Sequence, residues 1–229
     1  FGTGDYTVEC WIKPTSVSGN LEIVFNTGGN DNNTFFFHYD QDQLSVGNQS
    51  AFISNQATTF TNGQWYHIAA CRSGTTLKLF RNGEQVGNDA TDNIDWLCEG
   101  TDVKIGRNDS GSQPVNGLIS NLRVVKGRAL YTSGFYPPSA ELTNVADTKL
   151  LCCQSDSSTT AAAVIPSGSI TANGNPTAGA ETLTLSPSLG SAITWPTGVT
   201  WNGGSAPTLL GANSYSKTGQ VFNLTTADG

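Results

Sequence analysis

The chain has no methionine, only two histidines and little charge: Lys, Arg, Asp and Glu make up 13% of its 229 residues, against about 25% in an average soluble domain. Bases are scarcer than acids, 11 against 18, for a formal net charge of -7 and a pI near 4.6. Nucleic-acid binding ordinarily leaves a basic patch or stripe, so neither a nucleic-acid partner nor an anionic membrane surface is expected. No apolar run approaches the roughly 20 residues of a membrane-spanning helix, which speaks against membrane insertion. Phe1-Gly2-Thr3-Gly4 lacks the basic start and apolar stretch of a signal peptide. With no initiator Met and a beginning that reads as the lead-in to a strand, the natural polypeptide is expected to extend upstream.

Helical patterning is also missing. An apolar 3.6-residue period nowhere lasts three turns, and the one helical turn expected is near Gly127 to Tyr131, ahead of Pro137-Pro138. Asn, Thr, Ser and 26 Gly take the place of charge, a composition that favours turns and strands. YTVECWIK alternates, with Tyr6, Val8, Cys10 and Ile12 on one face and Thr7, Glu9, Trp11 and Lys13 on the other. Similar runs are expected at 21–26, 34–39, 43–47, 65–72, 76–81, 103–106, 118–125 and 149–153, spaced as in sandwiches and barrels. Asn82-Gly83, between LKLFR and EQVG, is the strongest hairpin signal, because a type I′ turn needs positive φ at both central residues.

The five cysteines form no CxxC pair, and as an odd set cannot all pair within the chain. They read as small buried hydrophobes. Neighbouring strand residues point to opposite faces, so Cys152 and Cys153 are not expected to face one partner together.

After Gln154 the chain becomes small and polar, and from 157 to 229 only Glu181, Lys217 and Asp228 are charged. This divides the sequence into a domain at 1–155, a linker at 156–170 and a small β module at 171–229. The module is short enough to bury only a small core and to lean on a neighbour or an oligomer mate.

The segments FGTGDYTVECWIKP, QWYHIAACRSGTTLKLFRNGEQVG, VKIGR and GLISNLRVVKGRALYTSGFYPPSAELTNVADTKLLCCQS together resemble the laminin G-like, concanavalin A-like jelly-roll domains. More narrowly they are similar to the version in structural proteins of tailed bacteriophages, marine and cyanobacterial ones especially. TWPTGVTWNGGSAPTL followed by TTADG resembles a small β module often appended in such phage proteins. The resemblance implies an all-β chain: a two-sheet antiparallel jelly-roll sandwich of about six or seven strands per sheet, followed by a small β module. It also implies that the segment from Ala129 to Pro138 crosses one sheet and covers Trp11, which alternation alone places on the polar-looking face.

Concanavalin-like folds include glycoside hydrolases, whose retaining members need two carboxyls about 5 to 5.5 Å apart. In the family these come from ExDxxE or ExDxE on one strand. Glu9, Glu22, Glu84, Glu99, Glu141 and Glu181 lack partner acids at those offsets, so no enzyme is expected. His67 in WYHIAA and His38 in FFFHYD are strand-borne, and His67 is expected to make a structural hydrogen bond. The family's common ion is calcium, which takes six to eight oxygens. Asn30, Asp31, Asn32 and Asn33, Asp40 with Asp42, and Asn108 with Asp109 are the candidate ligands, although such clusters are also ordinary turn chemistry. For a glycan, the candidate contacts are Asn30, Asp31, Asn32, Asn108 and Asp109 with a stacking pair, Trp195 and Trp201. Trp65 is expected in the core and Trp96 as a loop anchor. The sequons at Asn32, Asn48, Asn108 and Asn223 are near chance in an Asn- and Thr-rich chain.

The expectation is a non-enzymatic virion structural protein, a fibre, spike or capsid-surface component at the virion surface. Its partners would be other virion proteins, copies of itself in a homo-oligomer, and a host-surface glycan. The alternatives are a capsid decoration protein without a receptor role, or a secreted carbohydrate-binding adhesin or glycoside hydrolase.

Overall fold

Period-two alternation becomes a pair of facing sheets in the computed structural model, which describes residues 1–180 apart from 18, 30, 99–101 and 109. The chain divides into two units, Phe1–Glu181 and Thr182–Gly229, and the described residues all lie in the first. Among them, the strands are β1 (Tyr6–Pro14), β2 (Glu22–Asn26), β3 (Phe36–Tyr39), β4 (Gln43–Gly47), β5 (Phe52–Ala57) and β6 (Tyr66–Ser73). They continue with β7 (Thr76–Arg81), β8 (Glu84–Thr91), β9 (Lys104–Ile105), β10 (Gly117–Lys126), β11 (Thr148–Cys152) and β12 (Ala162–Val164). One sheet has seven strands in the order β12-β11-β10-β1-β6-β7-β8, the other five in the order β5-β4-β3-β2-β9. The fold is the expected antiparallel jelly-roll sandwich, with seven and five strands among the described residues.

Tyr6, Val8, Cys10 and Ile12 are fully buried and face Phe37, Tyr39, Leu44 and Val46 of the other sheet across one core. Each such side chain contributes about 1.5 to 3 kcal/mol by leaving water. At one end of the core an aromatic cluster joins Phe1, Tyr6, Phe35 and Trp96, with Phe1 stacked on Tyr6 at 4.7 Å and Trp96 edge-on to Phe35 at 5.3 Å. Asp92 ties this cluster to the backbone of the amino-terminal segment: its carboxylate accepts from Tyr6 Oη and Trp96 Nε1, and Arg72 pairs with it at 3.2 Å. Arg72 also donates to the carbonyls of Gly2, Gly4 and Ile94. Of Trp65 and Trp96, Trp96 anchors its loop as expected, whereas Trp65, expected in the core, is only half-buried. Trp96 is 0% exposed in the core, because Asp92 satisfies its indole N–H, whereas Trp65 has its Nε1 unpaired and Lys13 6.0 Å from its ring centre.

The other face of the seven-stranded sheet is covered by a strap, residues 127–138. The helical turn expected near Gly127 to Tyr131 is absent: Gly127 takes φ +98, and the following residues run as irregular chain across the sheet. Tyr131 and Phe135 stack at 3.6 Å and pack on Phe80, Ala69 and Cys71. The β7–β8 hairpin turns at Asn82 and Gly83 with φ of 52° and 80°, as the Asn-Gly signal requires. Gly83 has a second role, because a Cβ there would lie 1.8 Å from the Phe135 carbonyl oxygen, where the strap is docked by Phe135 N–H to Gly83 C=O. Trp11 is 2% exposed; it meets His67 edge-on at 5.3 Å, and His67 in turn lies under Tyr131 and Phe135.

Two departures concern the end of the domain. The segment expected as a linker, 156–170, contains β12, whose Val164 and Ala162 pair with Leu151 and Cys152 of β11. Cys152 and Cys153, expected on opposite faces, both join the core side, because Cys153 has φ +60 and so breaks the alternation where β11 ends.

Candidate functional site

Register fixes which side chains share the outer face of the five-stranded sheet, since directly opposed residues lie on one side. Ile23, His38, Ser45 and Asn55 are paired in succession across β2, β3, β4 and β5. A parallel row runs through Asn26, Phe36, Gly47 and Phe52. Most of these are buried, His38 at 3% exposure, but the Phe52 end emerges at 46%. The Phe52 and His38 rings lie 5.3 Å apart at 41°. Gly47 must be glycine because its Cβ would fall 2.6 Å from the Ala51 carbonyl oxygen of the tight β4–β5 turn.

That turn is organised by Asn48, whose Oδ1 accepts from the N–H groups of Ser50 and Ala51 and whose Nδ2 donates to the Asn32 carbonyl. Ser50 Oγ donates to Asn32 Oδ1. Asn33 donates to the Asp95 carbonyl and accepts from Leu97 N–H, so three loops form one rim beside Phe52. On β5 the Asn55 Oδ1 accepts from Ser45 Oγ. These bonds fix the side-chain oxygens of Asn32 and Asn55, and among the described residues their NH2 groups have no hydrogen-bond partner. Burial lowers the His38 imidazole to about 4, against which the Asp40 charge acts, so at neutral pH the ring is uncharged. Its Nδ1 has no hydrogen-bond partner. An exposed aromatic ring beside a neutral imidazole, with oriented amides on either side, can stack on an apolar ring face and donate to its hydroxyls.

The expected site residues are only partly united. Asn32 belongs to the rim. Asp31 lies next to it, but its Oδ1 accepts from Asn33 N–H and Thr34 Oγ1 and closes its own turn. Asn108 is engaged within a separate turn, accepting from Ser110 Oγ and Ser112 N–H and donating to Ser112 and Gln113. Asn30, Asp109, Trp195 and Trp201 lie outside the described residues. Asp40 closes its own turn with Asp42 N–H and Gln43 Nε2, at the opposite end of β3 from Asp31, and no group of three His, Cys, Asp or Glu converges among the described residues. Phe52 was not singled out in the sequence, because the bulge between Val46 and Gly47 breaks the period-two pattern of the edge strand that carries it.

A second polar cluster lies on the far sheet beneath the strap. Glu9 receives His67 Nε2 at 3.0 Å, Arg123 Nε at 2.8 Å and Tyr131 Oη at 2.9 Å. Burial alone would raise its carboxyl, but the His67 bond and the Arg123 charge hold it below the ordinary value. Glu9 and His67 are 0% exposed, so this cluster clamps strap to sheet and offers no surface to a substrate. The structural role expected of His67 is that bond.

Two facing antiparallel sheets, a single core between them and a loop rim at one end define a lectin-type jelly roll. The chain belongs to the concanavalin A-like lectin/glucanases superfamily, whose Laminin_G_3 model matches residues 1–132. Among solved structures, it is similar to domain 4 of AbnA, a GH43 extracellular arabinanase from Geobacillus stearothermophilus, at 23% identity and a TM-score of 0.45, covering 57% of this chain and 64% of that one. It is also similar to the CBM40 of a Ruminococcus gnavus IT-sialidase, at 15% identity and TM-score 0.47, covering 57% and 80%. Domains LG4-5 of the mouse laminin alpha1 chain match at 14% identity and TM-score 0.42, covering 61% and 43%. The chain thus spans less than two thirds of the arabinanase domain and of the laminin pair. No curated protein matches.

Proposed function

We propose that this protein is a non-catalytic carbohydrate-binding module whose contact surface is the Phe52 edge of the five-stranded sheet with its Asn32 and Asn55 amides. The observation that carries the reading is the Phe52 ring, 46% exposed beside the buried, neutral His38. Family membership supports it, and the solved structures contribute the fold alone. The acids support the non-catalytic part, because those buried in the sandwich already serve the fold. Glu9 holds the strap, Asp92 the aromatic cluster, and Glu22 accepts from Tyr39 Oη and Asn116 N–H.

On the resemblance of its segments to tailed-phage structural proteins, we place the module on a virion surface, where other virion proteins and copies of itself would present it to a host glycan. Weak sites on many copies would then add through effective concentration. The small module, 171–229, would serve as spacer or assembly contact.

The test is a glycan array carrying bacterial surface polysaccharides, probed with the wild-type chain and with Phe52→Ala. Saturable binding that falls several-fold, up to about tenfold, in Phe52→Ala, the loss expected from one stacking ring of roughly 0.5 to 1.5 kcal/mol, with the melting temperature unchanged, is the expected result. Equal binding by the two proteins, or no glycan bound even by a multimerised wild type, would refute the assignment.

A further inference from the structure

Cys152 and Cys153 stand where β11 ends, and the positive φ of Cys153 turns its side chain back beside that of Cys152. Their sulfurs are 3.6 Å apart. Cys152 is buried, while Cys153 is partly exposed. A cavity of about 310 Å3 opens alongside, lined by Gln154, Ser155, Glu141 and Ala162, and Ala162 is the register partner of Cys152. The Cys153 carbonyl accepts Asn121 N–H, and Gln154 donates to Asn121 Oδ1 and the Leu142 carbonyl, so the turn carrying the two thiols is fixed from both sides.

We propose that Cys152 and Cys153 are a covalent modification site, a vicinal dithiol that reacts with a low-molecular-weight disulfide and closes to a disulfide between the adjacent residues. The Cys153 thiolate attacks one sulfur of the small disulfide, forming a mixed disulfide and expelling one small thiolate. Cys152 then attacks the Cys153 sulfur, forming the Cys152–Cys153 bond and expelling the second small thiolate. The two protein sulfurs lose two electrons in all, the small disulfide gains them, and the two thiol protons end on the two small thiols released.

The roles are divided by environment. The more exposed Cys153 is the nucleophile and the buried Cys152 the resolving group; the bond between the two sulfurs, in which either can be the donor, lowers Cys153, and that bond and then burial raise Cys152. The remaining buried thiols lack this arrangement. Burial pushes Cys71 up to about 12 despite its bond to Thr7, and burial, then the charge of nearby Cys153, raises Cys10, which is 0% exposed. The site is independent of the glycan reading and shares no residue with it.

The experiment uses the full chain carrying Cys98→Ser, which removes the exposed thiol, incubated natively with oxidised glutathione. Free thiols are then trapped with iodoacetamide before intact-mass and peptide analysis. The expected product has lost two hydrogens, both within the peptide holding Leu150 to Gln154, and dithiothreitol restores it. Cys10, fully buried between the sheets, and Cys71, beneath the strap, are expected to stay reduced on that timescale and so to report that sandwich and strap stayed closed. Adding Cys153→Ser should abolish the two-hydrogen loss. A glutathione adduct that persists without closing, no reaction at either cysteine, a disulfide that takes in Cys10, or Cys10 or Cys71 reacting as fast as the pair would each overturn the proposal.

Discussion

Replacing Glu9 with Gln would leave the Arg123 guanidinium, 6% exposed, without its counter-charge beneath the strap. Breaking a buried pair from one side costs about 3 to 5 kcal/mol, because the surviving charge is still desolvated. Glu9→Gln is therefore expected to lower the urea midpoint sharply. Tyr131→Phe, which removes one hydrogen bond to the same carboxylate, should cost only about 1 kcal/mol. Equal losses in the two variants would show that the charge is not what holds the strap. His38 sets a second residue-scale expectation. Its folded value near 4 lies below the ordinary 6.5, so between these limits the unfolded chain binds a proton that the folded chain refuses. The stability due to keeping it neutral is complete above pH 6.5 and falls as pH drops toward 4, by about 1.4 kcal/mol per unit. Glu9 acts in the same direction only below its ordinary 4.5. Thermal melts of wild type and His38→Phe should therefore diverge between pH 6.5 and 4, with the variant showing the shallower decline; parallel curves would exclude His38 as the source.

At the scale of elements, the strap depends on a hairpin. Gly83→Ala puts a methyl group into the Phe135 carbonyl and asks alanine for φ +80. A loss of about 1 to 3 kcal/mol is expected from the turn strain alone, together with release of the strap. Amide hydrogen exchange should rise at Leu130 and Phe135, whose N–H groups are bonded to Thr7 and Gly83; unchanged protection there would mean that the strap is held without the hairpin. The elements legible in the sequence were those with local signals. β1, β6 and β7 alternate cleanly, Asn82-Gly83 marks its own turn, and the sandwich follows from their number and spacing. β5 was hidden because FISNQA lies at a half-exposed edge and alternates weakly, and β12 because its three residues, AAV, carry no period. The Glu9 cluster was hidden for another reason: its donors are 58, 114 and 122 residues away in sequence, so only the β1–β6–β10 register and the strap bring them together. Asn32 was legible as turn chemistry, but its neighbour Phe52 becomes meaningful only when β5 is paired with β4.

For the whole molecule, the family match ends at residue 132 while the seven-stranded sheet continues through β11 and β12. β12 lies outside β11 in that sheet and pairs with it at Leu151 and Cys152. A chain ending at residue 155 would therefore keep both faces of the sandwich and the Phe52 rim, but would leave β11 as a bare edge. Exposed edges invite pairing with other chains. A chain ending at residue 181 retains β12 and matches the first compact unit. Calorimetry and size-exclusion chromatography on the two truncations should separate the contributions. The longer one is expected to melt within a few degrees of the full chain and to elute as a discrete species. The shorter one is expected to melt lower and to self-associate with rising concentration, while any glycan binding per folded molecule stays equal in both. Equal melting temperatures would mean that β12 covers the edge without stabilising it, and loss of glycan binding in the longer truncation would move the binding surface to residues beyond 181.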